Sequence, residues 1–150
     1  MHVEVSHLLP HPIERVWEVL LDPDVLRRAL PGIERLEPAG RDRFAITMNL
    51  GVAAVRGRYT GTMEIVDQQR PSRYRLKAEG KGAPGWTKGQ AELTLTSEDG
   101  GGTLVRAKGD AQVGGTIAGV GQRMMEGVAK GMARDFFAAI ERILGEGAPP

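Results

Sequence analysis

The chain has 150 residues, a formal net charge of +1 and no cysteine. Its length fits one domain with a substantial core, and its nearly balanced charge disfavours a nucleic-acid-binding function. The absence of cysteine excludes disulfides, thiolate zinc sites and cysteine nucleophiles. The sequence has no apolar run long enough to cross a membrane and no signal-peptide pattern at residues 1–10, so we expect a cytoplasmic protein.

The N-terminal region is predicted to form a strand followed by two short helices. Alternation of mostly apolar with mostly polar side chains predicts the strand over residues 2–9. Pro12 suits the first position of a helix that carries Trp17 on its apolar face, because proline lacks the N–H that would be unpaired there. Asp22 has the chemistry of an N-cap for the second helix, which the Pro-Gly pair at residues 31–32 ends.

The middle of the chain, residues 33–113, is predicted to form about six further strands. Apolar and polar residues alternate along each strand, and turn-rich segments such as Asp99 to Gly102 separate them. Strands joined by short turns pair antiparallel, so we expect a sheet with one apolar and one polar face. The segment Gly82 to Gly89 is predicted to be a loop that carries Trp86.

The C-terminal region is predicted to be one long helix over residues 117–144. Its apolar residues recur at helical spacing, with Gly121 on the apolar stripe, and several charged residues gather on the opposite side. Among the predicted elements, this helix is the one large enough to cover the apolar face of the sheet. We therefore predict an α+β fold in a single domain, residues 1–144, followed by a flexible tail at residues 145–150.

A strongly bent sheet that grips a helix leaves a gap between the two, and such gaps hold ligands. The candidate ligand-binding residues are those expected to line this gap or its mouth: Phe44, Met48, Tyr59, Met63, Trp86, Leu93, Met124, Met125, Val128 and Met132. The methionines would give a compliant, polarizable wall, and Tyr59 and Trp86 could orient a ligand head group. The alternative is that these side chains simply fill a core.

Catalytic and metal sites have little support in the sequence. His2 and His7 differ in parity, so they face opposite sides of the first strand and make a poor metal pair. Acidic residues are not clustered at ligand spacing, and we predict neither a metal nor a cofactor. His7, Tyr59 and Asp110 are the remaining acid–base candidates, and none has an evident partner.

A series of short motifs extends over nearly the whole chain, from about residue 2 to residue 144. The motifs are Asp22-Pro23, Pro31-Gly32, Gly57-Arg58-Tyr59-Thr60-Gly61, Gly85-Trp86-Thr87-Lys88-Gly89, Asp110-Ala111-Gln112-Val113-Gly114-Gly115 and Phe136-Phe137. Their order and spacing resemble those of the CoxG family of carbon monoxide dehydrogenase subunits, within the Bet v 1 and START-like (SRPBCC) helix-grip superfamily.

The resemblance implies a seven-stranded antiparallel sheet wrapped around the C-terminal helix, two short helices after the first strand, and an apolar cavity. It also implies a role beside a molybdenum-containing carbon monoxide dehydrogenase or a related hydroxylase, either recruiting that enzyme to the membrane or handling a quinone-like lipid. Many relatives have cysteine where Ala29 and Ile33 stand, and the extended region that some members use near membranes does not follow Pro150. We therefore expect no more than a transient contact with the inner membrane surface.

These observations favour a non-catalytic accessory protein that holds an apolar or quinone-like small molecule and associates with a molybdenum hydroxylase. Two alternatives stay open. One is a small-molecule enzyme of the cyclase or hydrolase type that the superfamily includes. The other is an adaptor with a filled core, which binds a protein or a membrane through its outer face.

Overall fold

A computed structural model of the protein describes residues 1–146. The strands are β1 (His2–Leu9), β2 (Ile33–Pro38), β3 (Arg43–Leu50), β4 (Gly57–Gln69), β5 (Arg73–Gly82), β6 (Gly85–Ser97) and β7 (Thr103–Gly114). The helices are α1 (Ile13–Leu21), α2 (Pro23–Ala29) and α3 (Gln122–Glu146), and two 3-10 turns are formed by Ala53–Val55 and Thr116–Val120.

The strands form one antiparallel sheet in the order β1-β7-β6-β5-β4-β3-β2. From β2 to β7, strands that follow one another along the chain are neighbours in the sheet, and β1 forms the far edge by pairing with β7. The predicted seven-stranded sheet, the two short helices after β1 and the long C-terminal helix are thereby confirmed. Side-chain alternation gives the sheet an outer, solvent-facing side and an inner side that the helices cover.

Both short helices begin close to the start signals in the sequence. The Asp22 side chain accepts a hydrogen bond from the backbone N–H of Asp24 at 2.9 Å, and Pro23 occupies the first position of α2. Pro12, which the sequence predicts at the first helical position, instead has extended backbone angles and precedes α1 as its N-cap residue. The proline still lies where a free N–H is absent, one position earlier than the helix itself.

The long helix α3 differs from its predicted bounds at both ends. Residues 117–120 belong to a 3-10 turn, and Gly121 separates that turn from α3 with φ 100, a left-handed conformation that favours glycine. Gly121 therefore precedes the helix, whereas the apolar spacing predicts it inside. At the other end α3 continues through Glu146, which includes the first two residues of the predicted tail, and residues 147–150 lie outside the described residues.

The core lies at one end of the sheet. Here α1, α2 and the C-terminal half of α3 pack on the inner face, and Val16, Leu20, Tyr74, Val105 and Ile140 are almost completely buried. A second, smaller cluster lies apart from it and consists of Val55, Tyr59, Ile117 and Met125 with their half-buried neighbours. No helix within residues 1–146 combines the length and apolarity that a membrane crossing requires.

Candidate ligand-binding cavity

The inner face of the sheet changes in side-chain size from one end to the other. Along β6 the inward residues run from Leu95 and Leu93, which are buried in the core, to Gly89. The antiparallel neighbour β5 shows the same gradient, from the buried Tyr74 to Gly80. Because register aligns these gradients across the strands, one end of the sheet is filled and the other end carries a floor of small residues.

A cavity of about 320 Å³ lies over this floor, beneath the N-terminal half of α3. The floor consists of Gly61, Ala78, Gly80, Gly89 and Ala111. The helix contributes Met125, Val128, Ala129 and Met132, and the remaining walls include Ile46, Met48, Leu50, Val55 and Ile117. The volume falls at the small end of the range for small-molecule sites, about 300–1,000 Å³.

Two of the floor glycines have a backbone reason to be there. A Cβ at Gly61 would overlap the carbonyl oxygen of Glu79, and one at Gly89 would lie 2.7 Å from the carbonyl oxygen of Asp110. Gly80 differs, because the nearest atom to a Cβ there would be the carbonyl oxygen of Thr60, at the ordinary contact distance of 3.6 Å. Position 80 could therefore hold a side chain, and a side chain there would fill the cavity.

The cavity lining is almost wholly apolar. The Tyr59 hydroxyl donates a hydrogen bond to the carbonyl oxygen of Val55 at 2.7 Å, so its proton is already engaged within the protein. Burial raises the pKa of Tyr59, which keeps the phenol protonated at neutral pH. Thr60 and Glu79 border the cavity, but strand alternation places their side chains on the outer face. The site therefore offers contact area and no charged side chain, which suits an apolar ligand.

The structure brings five of the ten predicted residues together along this cavity. These are Met48, Tyr59, Met125, Val128 and Met132. Their contact with a ligand stays a prediction, since they line a space whose occupant is unidentified.

Three others, Phe44, Met63 and Leu93, lie in the main core instead of the cavity wall. They are on the inner face, as alternation predicts, and Phe44 and Met63 are direct cross-strand partners. They are buried because they lie towards the end of the sheet that α1, α2 and the C-terminal half of α3 cover. Alternation identifies the face of a strand but not the position along it where the covering helices begin.

The last two, Trp86 and Met124, point away from the cavity. Strand β6 already begins at Gly85, so Trp86 alternates with the inward Thr87 and lies on the outer face, 45% exposed, against Gly114. Met124 is 56% exposed and lies on the outer side of α3. The predicted role of Trp86 at the cavity mouth is therefore wrong in its placement.

Replacing Trp86 by phenylalanine should leave the affinity for a cavity ligand unchanged, because the indole lies on the opposite face of the sheet. Trp17 is buried in the main core edge-to-face with Tyr74, so it does not line the cavity either. Calorimetric titration of the parent and of Trp86→Phe with the same ligand checks this. A tenfold weaker affinity in Trp86→Phe would place the ligand on the outer face.

Sequence reasoning missed the glycine and alanine floor and several aliphatic wall residues, including Ile46, Leu50, Val55 and Ala129. The signal for the floor was present in the strand patterns. Inward residues on β5 and β6 shrink towards Gly80 and Gly89, and a paired run of small inward residues indicates a space above the sheet.

The three acid–base candidates lie in different surroundings. Nε2 of His7 is 3.3 Å from Oε1 of Glu141, and its ring stacks on Phe137, which ties β1 to α3. Oδ1 of Asp110 is 3.0 Å from Nδ1 of His2 on the exposed face, while Tyr59 is bonded to backbone. Within residues 1–146 no group of three or more His, Asp or Glu side chains is arranged to hold a metal ion.

Comparison with known proteins supplies the family. Residues 7–145 match the CoxG family, which is described as a subunit of carbon monoxide dehydrogenase. A conserved protein from Geobacillus kaustophilus has a crystal structure that superposes with a TM-score of 0.95, at 34% sequence identity over 97% of this chain and 96% of that one. The search of curated proteins gave no match.

More distant structures share the fold. A START superfamily protein from Mycobacterium smegmatis superposes with a TM-score of 0.77 at 11% identity, over 98% of this chain and 99% of that one. A protein from Thermus thermophilus gives 0.76 at 18% identity, over 99% and 100%. The chain belongs to the CoxG family of carbon monoxide dehydrogenase subunits and has the START-like helix-grip fold.

Proposed function

We propose that this protein is a non-catalytic accessory protein that binds an apolar, quinone-like small molecule between the sheet and α3. The observation that carries the proposal is the apolar cavity of about 320 Å³ over the glycine and alanine floor. We further propose that it serves a molybdenum enzyme of the carbon monoxide dehydrogenase type. Membership of a family described as a subunit of that dehydrogenase supports the association.

The physical basis of binding is burial of apolar surface. Each CH₂ group moved from water into the cavity contributes about 0.8 kcal/mol. A flat ring can lie against the floor, because Gly80 and Gly89 project no side chain into the space. Met48, Met125 and Met132 line the other sides, and unbranched thioether side chains adapt to the outline of a ligand and contact aromatic edges favourably.

The surroundings of the cavity support binding without chemistry. General acid–base catalysis needs a titratable group within hydrogen-bonding reach of the reacting atom. The phenol of Tyr59 borders the cavity, but its pKa is raised and its proton is donated to Val55. His7 and Asp110 make their contacts with Glu141 and His2, outside the residues that line the cavity.

Thermal unfolding with and without a ligand tests the binding function. A ligand that binds the folded chain alone stabilises it by about 2.7 kcal/mol at 100 times its Kd, which raises Tm by about 5–10 °C for a chain of this size. A benzoquinone or naphthoquinone with a short isoprenoid tail is the probe, and the same ring with a charged substituent is the control. Equal Tm values with and without the apolar probe, together with no apolar molecule extracted from the purified protein, would contradict the proposal.

A further inference from the structure

A second space lies outside α3 and continues from the cavity. It is an open groove of about 790 Å³ between the loop residue Val52 and the N-terminal half of α3. Val128 and Met132 border both the groove and the inner cavity. The two spaces are therefore separated by side chains of one helix, and an apolar molecule can pass between them if those side chains change rotamer.

The groove exposes apolar side chains to solvent. Val52 is 46% exposed and Met124 is 56% exposed, and both line it. Gly127 and Gly131 also lie in the groove, and a Cβ on either would meet nothing within 4 Å beyond the helix's own backbone and its chain neighbours. This face of the helix is thus uncovered within the described part of the chain.

Positive charge lies beside the groove. Arg123, Lys130 and Arg134 are spaced by seven and four residues, which places them on one stripe of α3 next to the two glycines. In residues 1–146 none of the three cations has a carboxylate within 4.0 Å.

Other charges near the groove are fewer and partly engaged. The Arg56 guanidinium donates to the carbonyl oxygen of Gly51, beside Val52, at 3.3 Å. Two carboxylates flank the basic stripe: Glu126 accepts a hydrogen bond from Gln122, and Asp135 lies at the groove edge. The cations outnumber these two carboxylates, so the surface is complementary to an anionic partner.

We propose that this groove docks on an anionic lipid bilayer and exchanges the apolar ligand with it; the inference rests on the function proposed above. Exposed apolar residues beside a basic helical stripe are the pattern of segments that lie in a membrane interface. A bilayer accounts for the continuity between groove and cavity, because an apolar ligand reaches the protein from an apolar phase. Val52 and Met124 then enter the acyl boundary while Arg123, Lys130 and Arg134 meet lipid phosphates.

Flotation with vesicles tests the docking. We expect the parent protein to float with phosphatidylcholine vesicles that contain phosphatidylglycerol, to float less as salt rises, and to stay unbound with phosphatidylcholine alone. The double variant Arg123→Gln/Lys130→Gln should bind about 30-fold more weakly, at about fivefold per lost cation. The matched control is Lys77→Gln/Lys88→Gln, which removes the same charge from the outer face of the sheet and should bind as the parent does.

The apolar part of the groove has its own variants. Val52→Asp and Met124→Asp should each abolish vesicle binding while keeping the parent's Tm, since both side chains are exposed. Equal losses in the groove variants and in the Lys77/Lys88 control would overturn the proposal. So would a parent protein that binds no anionic vesicle, an outcome that would leave an acidic protein surface as the partner of the groove.

A cavity variant separates this inference from the function on which it rests. Gly80→Val fills the inner cavity and leaves the groove intact, so it should bind vesicles as the parent does and fail to take up the quinone probe. Vesicle binding with no ligand uptake by the parent would overturn the ligand function alone. Ligand uptake from detergent with no vesicle binding would overturn the docking alone.

Discussion

Replacing Gly80 by valine should remove most ligand binding and leave the fold intact. The new Cβ meets the carbonyl oxygen of Thr60 at an ordinary 3.6 Å, and the side chain projects into the cavity. Valine is also favoured in strands, where glycine weakens pairing. If its three carbon atoms displace three ligand carbons, the lost burial is about 2–3 kcal/mol, or roughly a 30- to 150-fold rise in Kd.

The matched control is Lys81→Val, the adjacent position of β5 on the exposed face. It introduces the same side chain in the same strand without touching the cavity, so its Kd should equal that of the parent. Calorimetric titration of the three proteins with one quinone probe provides the measurement. Unchanged affinity in Gly80→Val, with Tm preserved, would show that the ligand binds elsewhere.

The second large effect is expected at the other end of α3. Ile140 is fully buried in the main core, and truncation to alanine removes packing against the sheet and the short helices. Such substitutions lower the free energy of unfolding by about 2–5 kcal/mol. Met132→Ala, on the same helix but half-buried beside the cavity, should lower it by no more than about 1.5 kcal/mol, because its surroundings are already open.

Urea denaturation of the two variants and the parent compares these effects directly, with the slope of the transition serving as a check on two-state behaviour. Similar losses of stability in Ile140→Ala and Met132→Ala would mean that α3 is packed evenly along its length. The cavity would then close in solution, and the ligand site proposed over the glycine floor would be lost with it.

The order of elements and the faces of the strands were predictable from the sequence, whereas depth along each strand was not. Parity places Leu93 and Gly89 on the same inner face of β6, which is correct. Whether a residue meets the core or the cavity depends on where α1, α2 and α3 cross the sheet, and that is tertiary information. Parity alone therefore predicts Leu93 on the cavity wall, although the core covers it.

Strand ends limited the prediction in a different way. The glycines and proline at residues 82–85 are turn residues, and they favour a loop around Trp86. The turn is in fact tight, since β5 ends at Gly82 and β6 begins at Gly85, and these two residues are cross-strand partners. Extending the alternation of β6 back through Thr87 would have placed Trp86 on the outer face.

The start of α3 shows a limit of hydrophobic periodicity. Ile117 is buried, as a helical stripe would have it, yet it belongs to a 3-10 turn and clusters with Val55 and Tyr59. An apolar residue at the expected spacing does not report whether the backbone between it and the next one is helical. The positive φ of Gly121 breaks the helix there, and glycine alone gives no sign of which conformation it adopts.

The separation of a filled and an open end along the same strands affects how the protein can change over generations. Mutations that enlarge, shrink or reshape the open end, at positions such as Ala78, Gly80 or Met132, act on residues outside the main core. Ligand preference can therefore drift while the folding reserve, held by residues such as Tyr74 and Ile140, is hardly reduced. The same division offers a cysteine-free scaffold on which a new binding specificity can be selected at one end without rebuilding the other.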